Sequence, residues 1–120
     1  MSLYEQLGGE SKLRAIIAEF VRRVQGDLLI GFFFAQTDCA RLEAQEFAYA
    51  AASLGGPVAY SGRDLGEVHR RLPILGGHFD RRRQLLAETL DVFAVPAAPR
   101  AAWLAHVMAL RPIVLGPGAG

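Results

Sequence analysis

Residues 28–34 read Leu28-Leu29-Ile30-Gly31-Phe32-Phe33-Phe34, an apolar run that suits a buried strand as well as a stretch of helix. How it is read decides the fold class. A strand needs a partner, and no second β-rich segment bounded by turn residues lies nearby. The run is therefore assigned to short helical turns and a corner packed into the core, and the chain to the all-α class.

Gly26-Asp27 separates this run from the segment before it. There, from Glu10 to Val24, the residues Leu13, Ile16, Ile17, Phe20 and Val24 recur at three- and four-residue spacing. That spacing places them on one face of a helix of about four turns. Further upstream, Ser2 followed by Glu5 forms a capping box for a short first helix, which Gly8-Gly9 ends. Downstream of the run, Thr37 or Asp38 can cap a helix from Cys39 to Leu54, stopped by Gly55-Gly56-Pro57.

A loop through Val58 to Gly62 leads to a short helix from Arg63 to Leu72, which carries His69 and is closed by Pro73. Gly76-Gly77 mark a further break. A helix from His78 to Phe93 then sets Phe79, Leu86, Leu90 and Phe93 on one face. The last helix runs from Arg100, with Leu104, Val107 and Met108 on its apolar face, and Pro112 ends or kinks it.

The length of 120 residues suits one domain, with residues 1–2 and 116–120 as flexible ends. A net charge of +1 is too balanced for a nucleic-acid binder. No apolar stretch reaches about 18 residues, so no membrane span is expected. The chain start, Met1-Ser2-Leu3-Tyr4-Glu5, lacks the basic residues and apolar run of a signal peptide. The single cysteine, Cys39, excludes an intrachain disulfide and suits a reducing, cytoplasmic setting. A monomer or weak dimer is expected.

No nucleophile with a base, carboxylate pair or phosphate-cradling glycine loop stands out. Of the three histidines, His69 lies between Leu65 and Leu72-Pro73, so its imidazole emerges from an apolar face. Such a nitrogen can fill one axial position of a haem iron. Taken alone, a helical histidine is more often structural or solvated.

Context changes that balance. The segments Leu3-Tyr4-Glu5-Gln6-Leu7-Gly8-Gly9, Phe33-Phe34, Leu54-Gly55-Gly56-Pro57, Tyr60-Ser61-Gly62-Arg63, Val68-His69 and His78-Phe79, in this order and spacing, resemble group I truncated haemoglobins. The likeness spans roughly residues 3 to 115. It implies a two-over-two helical sandwich enclosing haem, with His69 as the proximal ligand and Phe34 stacked on the porphyrin. Leu65, Leu72, Ile74 and Phe79 match proximal or edge contacts. Phe32 and Phe33 read as ordinary core. Arg63, Arg70 or Arg71 could pair with haem propionates or form a solvated face. Arg81-Arg82-Arg83, opposing the helix dipole at a helix start, reads as solvent-exposed.

The sequence departs from the family on the ligand side. Where relatives carry a tyrosine donor on the second helix and a glutamine on the distal helix, the ungapped count from Phe34 gives Val21 and Glu46. A donor there stabilises the partial negative charge of dioxygen by about 1 kcal/mol or more, and valine has none. Leu42, Glu46 and Tyr49 share a helical face that the resemblance turns toward haem. Ionised, Glu46 would repel an anionic ligand; protonated, it could donate; rotated away, it would reach solvent or an arginine. Gln45 is the substitute donor if the register slips by one. Ala50 stands where some relatives have a tunnel-gating phenylalanine.

The expected function is reversible binding of a diatomic gas (O2, CO or NO) at haem iron, with oxygen transport, NO dioxygenation or peroxidase-like chemistry and an electron-donating reductase as further expectations. The alternative is a globin-fold sensor or interaction module with weak or lost haem binding.

Overall fold

The computed structural model describes residues 1–58 and 75–115. Among the described residues it is helical throughout, with no strand. The elements are α1 (Leu3–Leu7), α2 (Gly9–Gln25), a 3-10 turn (Gly31–Phe34), α3 (Cys39–Ser53), α4 (Gly76–Val92), α5 (Ala97–Ala109) and α6 (Arg111–Leu115).

The run at 28–34 is not a strand; it forms turns that close in the 3-10 segment. A corner forms here because Asp27 folds its side chain back, one oxygen accepting from the Leu29 and Ile30 amides at 3.0 and 3.2 Å. An Asx turn of this kind competes with continuation of the helix. Gly31 is required by the close approach that results: a Cβ there would lie 2.6 Å from the Gln25 carbonyl oxygen. The expectation that the whole run packs into the core needs correction. Ile30 is buried, Phe33 and Phe34 are half-buried, and Leu28, Leu29 and Phe32 are exposed.

α2 follows its hydrophobic period, burying Leu13, Ile16, Ile17, Phe20, Val21 and Val24. At α1 the Ser2 hydroxyl accepts from the Glu5 amide at 3.1 Å and donates to the Glu5 carboxylate at 3.3 Å. Only Gly8 separates α1 from α2, and its φ of 130° is one that a side chain would strain. Asp38, not Thr37, caps α3, accepting from the Ala40 amide at 3.0 Å.

Three boundaries differ from expectation. Gly76 and Gly77 open α4 instead of breaking the chain, since the first turn of a helix has no backward hydrogen bonds to lose. The Leu75 amide is satisfied there by His78 Nδ1 at 3.0 Å. α5 begins at Ala97, three residues before Arg100, because Pro99 is tolerated within that same unbonded turn and buries its ring. At its far end α5 stops at Ala109, and Pro112 falls in the first turn of α6. Met108 is exposed, whereas Trp103, Leu104 and Val107 are core.

α2 packs against α3 and α4, α4 against α5, and α3 also against α5, with α1 resting on α2 and α5. The four longer helices thus pack as a closed set of neighbours, α2 on α3 and α4, and α5 on α3 and α4. Tyr49 ties the layers, its hydroxyl donating to the His106 carbonyl at 3.3 Å. Among the described residues no helix is long and apolar enough to cross a membrane.

Candidate functional site

Where α2, the 3-10 turn, α3 and α4 converge, a small cleft opens. α2 supplies Phe20, Val21 and Val24, the turn supplies Phe34, α3 supplies Leu42 and Glu46, and α4 supplies Arg82. Helical spacing explains the convergence. Leu42 and Glu46 are four apart on α3, and Phe20, Val21 and Val24 occupy one stripe of α2. The lining is apolar except for two charges, Glu46 and Arg82, and these meet. Arg82 Nη2 donates to both Glu46 oxygens at 2.7 Å. The Arg82 guanidinium lies 4.9 Å from the Phe20 ring centre, a cation–π contact that fixes its plane.

The α4 arginines were expected in solvent, and the structure corrects this. Arg82 keeps 25% of its side chain exposed and its partner Glu46 23%. Arg81 reaches across to the corner, where Nε and Nη2 donate to the Asp27 oxygen that the Leu29 and Ile30 amides leave free, at 2.9 and 2.7 Å. The dipole cost of cations at a helix start is offset for Arg81 and Arg82, which find carboxylates on Asp27 and on α3. Arg83 Nε is buried without an acceptor among the described residues.

Asp27 therefore accepts hydrogen bonds on both oxygens with only 7% of its side chain exposed. The Arg81 guanidinium, against the opposing effect of burial, holds its carboxyl below the usual carboxylate range, aided by the two amides. A carboxyl lowered on folding contributes stability above its unfolded value, about 3.9, that is lost as pH falls through the folded value. Asp27→Asn is expected to melt below the parent at pH 7, with the gap closing progressively as pH falls below about 3.9. Thermal melts across that range check it. Glu19, brought to about 2 by hydrogen bonds from Arg22 and then Arg23, leaves a residual acid dependence in the variant.

Of the other residues singled out from sequence, Phe34, Leu42, Glu46 and Val21 do converge on the cleft. Gln45 is exposed and does not line it. Tyr49 is engaged with α5 through its hydroxyl. Phe79 is buried in the core, and Ala50 lies buried on α3. Leu65, His69, Arg70, Arg71, Leu72 and Ile74, with Tyr60 to Arg63 and the short helix assigned to them, lie outside the described residues. Sequence reasoning missed Arg82. Its one available signal was the four-residue step from Phe79 to Arg83 and the seven-residue step to Leu86, which carry the arginines beside the buried stripe of α4.

The family model of bacterial-like globins matches residues 2–115. A group 1 truncated hemoglobin, GlbN, of Mycolicibacterium paratuberculosis is 31% identical over 119 residues, 99% of this chain and 88% of that protein. The chain belongs to the group 1 truncated haemoglobins. Among solved structures, this truncated haemoglobin is similar to that of Tetrahymena pyriformis in its Fe(III) form. The TM-score is 0.88 with 30% identity, covering 97% of this chain and 99% of that one. It is also similar to the 2/2 hemoglobin of a Synechococcus in the cyanomet state with covalently attached heme. There the TM-score is 0.89 with 26% identity, covering 96% and 98%. The four longer helices of this truncated haemoglobin thus form the two-over-two globin arrangement.

Proposed function

We propose that this truncated haemoglobin binds haem and, through it, takes up a diatomic gas reversibly. The observation that carries the reading is the apolar cleft between α2, α3 and α4, with Phe34 at its edge, in a chain of this family. The cleft encloses far less space than the few hundred Å³ of a complete cofactor pocket, so it supplies part of one wall for a flat group.

Two further features fit such a group. Phe32, 62% exposed, packs edge-on to His78 beside Leu75, 66% exposed, an apolar surface next to the turn that carries Phe34. The buried Arg83 Nε lacks an acceptor among the described residues, which a ligand bearing carboxylates would supply. Haem, when bound, would supply an iron able to take a histidine nitrogen and a diatomic gas.

On the resemblance, His69 holds the iron and Leu65, Leu72 and Ile74 complete the opposite wall, with Arg71 beside a propionate. Phe20, Val21, Val24 and Leu42 exclude water from the ligand side. A cytoplasmic setting and an electron-donating reductase go with this reading, supported by a single cysteine that suits a reducing compartment. Titration of the purified chain with haemin tests it: a Soret band saturating at one haem per chain is expected. A chain that gives only the spectrum of free haemin would sink the proposal in favour of an interaction module.

A further inference from the structure

Val21 has no donor at the position where the resemblance places a tyrosine hydroxyl, yet the cleft is not without polar groups. Both oxygens of Glu46 are occupied by one nitrogen of Arg82. Glu46 is thereby an acceptor and an anchor, not a donor to a ligand. A guanidinium carries five N–H donors in a planar fork. Those on Nη2 serve Glu46, and no acceptor among the described residues engages Nε or Nη1. Phe20, adjacent in sequence to Val21, lies under the guanidinium at 4.9 Å and prevents it from turning freely.

We propose that Arg82, anchored by Glu46 and seated on Phe20, is the ligand-side hydrogen-bond donor of this globin and biases it towards small ligands that carry negative charge. This rests on the haem-binding reading above. The ion pair matters in two ways. Glu46 fixes where the guanidinium sits, and the pairing neutralises the carboxylate that would otherwise repel an anion from an apolar cleft. CO, which carries little charge when bound, gains little from the same donor, so azide and CO should respond differently to its removal.

The probes are azide for the ferric haem complex and CO for the ferrous one, each titrated by its absorption spectrum. Arg82→Met is expected to lower azide affinity by about tenfold or more, the scale of a lost hydrogen bond to a charged group. CO affinity should change by less than about threefold, the scale of a weak contact. Arg82→Lys, which keeps the charge but loses the fork, should fall between Arg82→Met and the parent. Glu46→Gln keeps an oxygen that accepts from the guanidinium but removes the counter-charge, and should raise azide affinity.

Opposite signs for the Arg82 and Glu46 variants are what a purely structural pair would not give. Azide affinity intact in Arg82→Met overturns the inference. So does an equal loss of azide and CO binding in both variants, which would mark a damaged cleft. A parent chain that forms no Soret band overturns the haem reading itself, so the two failures are distinguishable. Melting of the haem-free variants within a few degrees of the parent is expected, since the pair is partly solvated.

Discussion

Phe20→Ala is expected to lower the stability of the chain by about 3–5 kcal/mol, the cost of deleting a buried aromatic ring. Phe20 is 2% exposed and lies midway along the apolar stripe of α2, the helix that contacts both α3 and α4. Truncation leaves a void that those neighbours cannot fill, because each is anchored on its own side: α3 by Tyr49 on α5, and the start of α4 by Arg81 on Asp27. Against a total stability of roughly 5–15 kcal/mol such a loss is a large fraction. It should appear as a fall in melting temperature of about 10 °C or more. Phe20→Leu, which keeps most of the volume but not the π face, should cost about 1 kcal/mol. It should also free the Arg82 guanidinium. If Phe20→Ala melts within a few degrees of the parent, the cleft wall is not part of the core.

The same residue shows what was legible in the sequence. Phe20 declares itself through helical periodicity, a local signal that survives in one dimension, and so do the other buried positions of α2. The corner at 28–34 was legible for a different reason: without a partner strand the run had only one way to satisfy its backbone. Its exposure was not legible. Phe32 has the composition of a core residue, and only the turn geometry set by Asp27 directs it outward.

Long-range pairs were less accessible still. Arg82 meets a carboxylate 36 positions away and Arg81 one 54 positions away. No local pattern marks which of three consecutive arginines finds which acid. Read locally, the cluster opposed the helix dipole and belonged in solvent. The tertiary contacts outweigh that dipole effect, itself worth about 0.3–1 kcal/mol on an exposed surface. The glycine pair at 76–77 misled for a related reason: glycine's penalty applies inside a helix, whereas both sit at its start. Val21, Leu42 and Glu46, by contrast, were grouped by counting from Phe34, because an ungapped count carries a relative's register onto this chain, and the structure sets them with Phe34 on one cleft.

That register also carries the second large effect. His69→Gly is expected to reduce haem affinity by on the order of a hundredfold or more, since even partners that only orient a metal ligand cost 10- to 100-fold when removed. The loss should show as a weakened, shifted Soret band and faster transfer of haem to an acceptor protein. A structural histidine would give a different result. Glycine in place of a packed imidazole would lower the melting temperature of the haem-free chain and leave the spectrum of the remaining haem complex unchanged. Exogenous imidazole separates the two roles, because it restores the parent spectrum only if what the chain lost was a nitrogen at the iron. Melting of the haem-free variant close to the parent, together with rescue by imidazole at millimolar concentration, would establish His69 as the ligand. An unchanged Soret band without imidazole would move the iron to another residue. The candidates would then be His78, whose Nδ1 is already committed to the Leu75 amide, and His106, exposed on α5. Neither lines the cleft that Phe34 and Arg82 define.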